Sequence, residues 1–538
     1  MAFAVDGLVS GLDTTSIISQ LINLERRPIT LLENKQVTLG EQRTAWQEVS
    51  KRLLSFESSA KAISTSGTFA ARTGKFNSSS STGGSVLSLI TGSDVSAGSY
   101  NIVVSQLADA EKSTSNAHSS STTALGASGT ITIDGPAGIT NVTVNLTDTL
   151  NDIRDNINNS GASATVTVID IGTSSSPSYR LVVTGNDTGS TNSFTITDAT
   201  DGATDITFTE NQAAQDATFT IDNISVTKDS NTVTGVISGA TINLETIGSG
   251  AISFTNDTSG TLEKIQTFVD SYNDVMDYIR EQFTYDQSKD SKGALFGNVS
   301  LETIQSQLRS IVSDTVPGID TTDSSNLSAL SQVGILTNSE NKLEINVSKL
   351  TDMLVDRFSD VQDLFVPSGS GTYTFVNATG FTQGGTYATQ VVDDGSGNAL
   401  LQLQLSGSSE WISLTQSGNF ALGQNDTALE GLIIRTGTIT INDTGSMRIA
   451  VGVAQSVATY TSTYTEFSAE GLIFNQNDSI KNQDREIQKQ IDDLEERVAK
   501  KGEDLRTKFA NLETLLAKLV SEQSYLDSQL ANLSKGWK

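Results

Sequence analysis

Apolar residues recur every seven positions at the C-terminal end of the chain, at Ile491, Val498, Leu505, Leu512, Leu519, Leu526 and Leu533. An unbroken period of seven predicts one continuous helix whose seam seeks another helix. The N-terminal segment carries the same period at Leu32, Leu39, Trp46, Leu53 and Ala60, with a second row at Val49, Phe56 and Ile63. Both ends therefore read as coiled-coil segments. Residues 71–257 are different, being rich in Ser, Thr, Gly, Asn and Asp with short alternating strands. The pattern predicts a β-rich body held between two helical arms.

The C-terminal seam is imperfect. Its second row, Ile487, Leu494, Lys501, Lys508, Leu515, Glu522 and Gln529, is polar at about half its positions. Buried Lys and Glu must be paired or stay wet, so this helix makes a poor isolated two-stranded coil. Phe509, Leu516 and Leu530 widen the stripe, and the helix calls for several neighbours on a broad face. A helix that only caps its own domain would explain this seam, but not the matching arm at the other terminus.

Along the chain, Asp13, Thr14 and Thr15 offer N-caps for a helix with Ile17, Ile18, Leu21, Ile22 and Leu24 on its apolar side. Pro28 predicts a break, with a second helix running to about Ala62. The run Asn77-Ser78-Ser79-Ser80-Ser81-Thr82-Gly83-Gly84 reads as loop. Strands are predicted at 99–104, 130–134, 141–146, 164–170, 180–184, 193–197, 206–209, 217–222, 224–228 and 240–244, interrupted by a helix at 150–158. Helices return at 262–283, 301–312 and 350–365, with a hairpin of 333–336 and 342–347 between the last two. Residues 366–450 form a second β-rich island, with strands such as 400–405 and 438–442, and look like an insertion.

Charge and composition narrow the function. A formal charge of −28 argues against nucleic-acid binding, which needs a basic surface. No cysteine is present, which removes disulfides, thiol catalysis and thiolate metal sites. No apolar run reaches the about 18 residues of a membrane helix. The first basic residue is Arg26, so no charged segment precedes a hydrophobic one, and export without a cleaved signal is the expectation.

Candidate chemistry is sparse. His118 is the single histidine and lies in a Ser-rich stretch; a mobile loop is a poor platform for a Ser-His-Asp triad, and an exposed loop histidine is the plainer reading. The run Asp393-Asp394-Gly395-Ser396-Gly397-Asn398 lacks the spacing and terminal Glu of an EF-hand loop and reads as a turn. No catalytic, cofactor or metal residue is assigned.

A resemblance rests on specific residues. Val5-Asp6-Gly7-Leu8-Val9-Ser10-Gly11-Leu12-Asp13, followed by Leu21-Ile22-Asn23-Leu24-Glu25-Arg26-Arg27-Pro28-Ile29, resembles the N-terminus of the flagellar filament cap family, the hook-associated protein 2 or FliD family. Ala97-Gly98-Ser99-Tyr100-Asn101-Ile102-Val103-Val104-Ser105-Gln106-Leu107-Ala108 is similar to its first head-domain strand. Ser331-Gln332-Val333-Gly334-Ile335, Lys342-Leu343-Glu344-Ile345 and Phe509-Ala510-Asn511-Leu512-Glu513 match further on, while 366–450 shows no family pattern.

The resemblance implies a multidomain α+β architecture: N- and C-terminal helices pair as a coiled-coil or helical-bundle stem, with antiparallel β-rich head domains inserted between them. Residues 1–70 would form the N-terminal arm and part of the stem, 71–110 and 214–257 an inner head domain, and 111–213 an outer one. Residues 258–365 would continue the stem, 366–450 form the insertion, and 451–538 return through a stem helix to the C-terminal arm. It also implies a non-enzymatic extracellular cap at the filament tip, exported by flagellar type III secretion. The implied partners are further copies of the chain in a ring, a pentamer, together with flagellin, a hook-associated junction protein and an export chaperone. Neither a nucleic acid nor a membrane span is implied. The contact helices would use Leu8, Leu12, Ile18, Leu21, Leu32, Leu39, Trp46 and Leu53 at one end, and the row from Ile491 to Leu533 at the other. Rival readings are another axial subunit of the flagellum, an adhesin using Trp411, Tyr373 and Tyr387 on glycans, and a hydrolase.

Overall fold

In the computed structural model, residues 11, 13–79, 85–92, 94–202, 204–288, 291–466 and 471–535 are described. The helices are α1 (Thr14–Glu25), α2 (Arg27–Lys61), α3 (Ser66–Phe69), α4 (Leu150–Asn158), α5 (Thr258–Phe283), α6 (Val299–Ser313), α7 (Val347–Asp356), α8 (Phe358–Phe365), α9 (Val453–Thr465) and α10 (Leu472–Lys535). With the many antiparallel strands between them, the chain is a multidomain α+β protein. It divides into two compact units, Ser66–Thr261 and the flanking stretches Met1–Thr65 with Leu262–Lys538.

In the flanking unit, the Asp13 carboxylate caps α1 by accepting from the Ser16 amide at 2.8 Å. Pro28 falls in the first turn of α2, where a missing N–H costs little, so the two helices follow with only Arg26 between them. The seven-residue rows of α2 are core: Leu39, Trp46, Val49, Leu53, Phe56, Ala60 and Ile63 are buried. Phe56 meets Phe268 and Tyr272 of α5 at ring separations of 5.1 and 5.7 Å, and Phe268 meets Phe365 of α8 at 6.1 Å.

Helix α10 runs antiparallel to α1 and α2. Gln36 bonds Gln488 at 3.2 Å, Arg26 pairs with Glu495 at 3.3 Å, and Lys501 pairs with Glu25. Ile473, Ile480, Ile487, Ile491 and Val498 are buried along this stretch. The polar seam position Lys501 is thus answered by an ion pair.

Residues 366–450 close on themselves. Ser368 pairs with Ala450 in the register of the first and last strands, and a β-carbon on Gly452 would overlap the Phe365 carbonyl group, so the chain departs from α8 and returns to α9 at one place. Two sheets enclose Tyr387, Leu401, Leu403, Leu414, Ile434 and Ile449. The insertion is seated on the loop after α6. Gly318, at φ +91°, lies against the Ile449 carbonyl where a side chain would clash, and Arg448 pairs with Asp320 at 2.8 Å. Hydrogen bonds from the Thr322 hydroxyl and amide, with the Arg448 guanidinium beside them, hold the Asp320 carboxyl down to about 2.

Unit Ser66–Thr261 has two cores. One collects Ile102, Val104, Phe219, Ile242, Ile252 and Phe254 beneath a five-stranded and a three-stranded sheet. The other collects Ile131, Val144, Ile153, Val166, Leu181 and Val183, with α4 packed on it behind a Thr149/Asp152 capping box.

Several elements differ from the sequence reading. Arg72–Ser78 is a strand reaching into the Ser-rich run, because Gly248–Asn256 supplies its backbone partners from Arg72↔Asn256 to Ser78↔Gly250. The helix expected over 350–365 is two, broken at Arg357, whose guanidinium bonds Asp360 and the Ser325 carbonyl. Residues 438–442 form no strand; Asn442 sits at φ +78° and the strand is Thr444–Ala450.

Candidate functional site

His118 is buried, 6 % exposed, where the sequence suggested an exposed loop. Its backbone forms a two-way bridge with Tyr179, its Nε2 meets the Asn116 side-chain oxygen at 3.2 Å, and its buried Nδ1 has no hydrogen-bond partner. Neither ring nitrogen is held by a serine or a carboxylate, so the geometry of a triad is missing. Burial, reinforced by Arg180, pushes its pKa below the usual 6.5. A depressed histidine favours the folded state above that value and loses this contribution as the pH falls below it. The Ser66–Thr261 unit is therefore expected to lose stability as the pH falls below about 6.5, and His118→Gln to flatten that slope in thermal melts.

The acidic turn is spent on its own backbone. Asp393 accepts from the Gly395 and Gly397 amides, and Asp394 from Ser396 and Asn398. Among the described residues no three His, Cys, Asp or Glu gather as metal ligands, and no helix is long and apolar enough to cross a membrane. Tyr373 and Tyr387, two of the aromatics available to a glycan, are core residues, and burial pushes the Tyr387 hydroxyl up to about 12.

The helical contact residues fall into two groups. Ile18, Leu39, Trp46, Leu53, Ile491 and Val498 are buried within the chain's own bundle, and Leu32 and Leu505 are half-buried. The buried ones hold the chain's own bundle together. Leu21, Leu512, Leu519 and Leu526 are exposed. Leu8, Leu12 and the Leu533 side chain lie outside the described residues.

The change of environment along α10 is abrupt. Gly502 is the last buried residue of α10 among the described side chains, and a β-carbon there would lie 3.4 Å from Ile22 Cδ1. Beyond it the helix continues to Lys535, a length of about 50 Å at 1.5 Å per residue. On that length Leu512, Leu515, Leu519, Val520, Leu526 and Leu530 are 44–63 % exposed. Leu24 of α1 and Leu31 and Val37 of α2 add exposed apolar side chains at the other arm. Sequence reasoning placed Leu24 on the apolar side of the first helix but missed Leu31 and Val37, which lie off the seven-residue rows. Scattered single apolar residues need no explanation, whereas these form a repeating exposed stripe. It has the form of a helix-in-groove or bundle contact and contains no reactive group.

Comparison with known proteins gives one family throughout. Residues 214–521 match the family described as flagellar hook-associated protein 2 C-terminus, and residues 10–111 the one described as flagellar hook-associated protein 2 N-terminus. The flagellar hook-associated protein 2 of Escherichia coli strain K12 is 31% identical over 392 residues, covering 68% of this chain and 81% of that protein. The A-type flagellar hook-associated protein 2 of Pseudomonas aeruginosa is 26% identical over 396 residues, covering 67% of this chain and 80% of the relative. In fold, the chain is similar to the D1-D2-D3 domains of the flagellar cap protein FliD from Escherichia coli, with a TM-score of 0.51, 23% identity, and coverage of 81% of this chain and 99% of that one.

Proposed function

The chain belongs to the flagellar hook-associated protein 2 family, the caps of the flagellar filament, and we propose that it performs this role mechanically, through the exposed half of α10. The observation that carries the reading is the stripe from Leu512 to Leu530, solvent-facing on a helix whose first half is packed. Full burial of each Leu or Val is worth roughly 1.5–3 kcal/mol, and isolated helices are marginal in water, so this half gains most of its order from neighbours. Further copies of the chain supply them in a ring at the filament tip, and the growing filament end supplies the rest. Rearrangement of these arms opens one site at a time for an arriving flagellin, which folds and inserts there. No bond is made or broken by the protein.

On this reading the chain works outside the cell, is exported by flagellar type III secretion, and has an export chaperone and a hook-associated junction protein as further partners. The burial of Tyr373 and Tyr387 leaves the half-buried Trp411 alone of the three aromatics an adhesin reading would use, which weakens that reading. Electron microscopy of purified full-length protein tests the assembly: closed rings with protruding arms are expected. Monodisperse monomers at every concentration would sink the proposal.

Excision of residues 368–450, joined by a short Gly/Ser link, is expected to preserve the rings, because Ser368 and Ala450 are already paired neighbours. The melting temperature should fall, since the Arg448–Asp320 pair and the Gly318–Ile449 contact go with it. Disappearance of oligomers on size exclusion would instead make the insertion part of the ring contact.

A further inference from the structure

Where α10 begins, it forms with α2 a groove of about 620 Å³. Leu54, Ile473 and Phe474 line it, and Leu54 and Phe474 are 40 % and 41 % exposed. Arg43, Lys51 and Lys481 line it too, beside the acids Glu466 and Asp478, so exposed cations outnumber acids there by one on a chain whose net charge is −28. An apolar floor with a mixed margin of slight cationic excess suits an apolar helix with acidic flanks.

Resting on the assembly reading above, we propose that this groove receives the exposed end of α10 from a second copy of the chain. Residues 512–530 carry Glu513, Glu522 and Asp527 against a single cation, Lys518, so the tail complements the groove in both charge and apolarity. The chain's own tail is out of reach. Both features belong to one continuous helix, and Lys481 and Leu512 are about 46 Å apart along it at 1.5 Å per residue. A groove at one end and its occupant at the other make the contact head-to-tail. Such contacts between identical copies generate rings when the rotation closes and open filaments when it does not. The groove would therefore fix the stagger between neighbours, whereas tail-on-tail pairing would produce only a closed two-fold dimer.

The absence of native cysteine allows a direct test by disulfide trapping. Leu54→Cys and Leu519→Cys are made separately in the full-length chain, at exposed positions where folding is not at stake. Mixed and oxidised at assembling concentration, the two variants should give a cross-linked dimer that neither gives alone. The chain carrying both substitutions should give a ladder of multimers. A dimer formed by Leu519→Cys alone as readily as by the mixture would overturn the proposal in favour of tail-on-tail pairing. Rings visible by microscopy without any cross-link would overturn it too, leaving the cap reading intact. Absence of rings from wild-type chain would overturn both.

Discussion

Leu512→Asp combined with Leu519→Asp is expected to abolish capping without unfolding the protein. Both side chains are exposed in the single chain, so the substitutions break no packing there, and the cores around Trp46 and around Phe254 are untouched. On assembly the same positions must leave water, and an uncompensated carboxylate in a buried interface costs several kcal/mol. Two such charges in the middle of the stripe are comparable in cost to what the remaining apolar contacts supply. Circular dichroism and melting temperature should match wild type, while cells carrying the variant should release flagellin into the medium and grow no filaments. Normal filament length would show that α10 is not the docking element, and would move attachment to the arm bearing Leu21 and Leu24.

Trp46→Ala should do the reverse. Trp46 is 1 % exposed in the middle of α2, a helix that packs on α9 and α10 and meets α5 through Phe56. Truncating a buried tryptophan costs about 3–5 kcal/mol in lost transfer energy and residual cavity. Domain stabilities are about 5–15 kcal/mol, so this removes a large share of the stability of the helical unit. Urea unfolding should show an early transition in helical signal, with the strand signal of the Ser66–Thr261 unit lost separately and near its wild-type midpoint. A change of less than about 1 kcal/mol would mean that the seven-residue row of α2 is not its packing face.

Trp46 and Leu512 sit on rows of the same period, and the sequence alone does not separate them. Periodicity predicts that a seam exists, whereas its partner depends on which helix ends where. α10 has 64 residues against 12 and 35 in α1 and α2, so its far end outruns the packed stretch that finishes at Gly502. That mismatch was countable in principle, but only once the antiparallel alignment of Gln36 with Gln488 and Glu25 with Lys501 was known. The polar seam residues were legible as a problem, and Lys501 shows the answer: it stays exposed and pairs with Glu25 at the surface. His118 was misread because neighbouring serines suggest a loop, while its backbone bridge to Tyr179 is non-local. Arg72–Ser78 escaped notice for the same reason, its strand being imposed by a partner more than a hundred residues away.

Hydrogen exchange along α10, in dilute monomer and in assembled protein, tests the central claim most directly. Amides from Ile473 to Val498 should be protected in both states, since this half is packed within the chain. Amides from Leu505 to Lys535 should exchange rapidly in the monomer and slow by orders of magnitude on assembly. Equal protection of the two halves in dilute monomer, or no slowing of the second half in the assembled protein, would contradict the account.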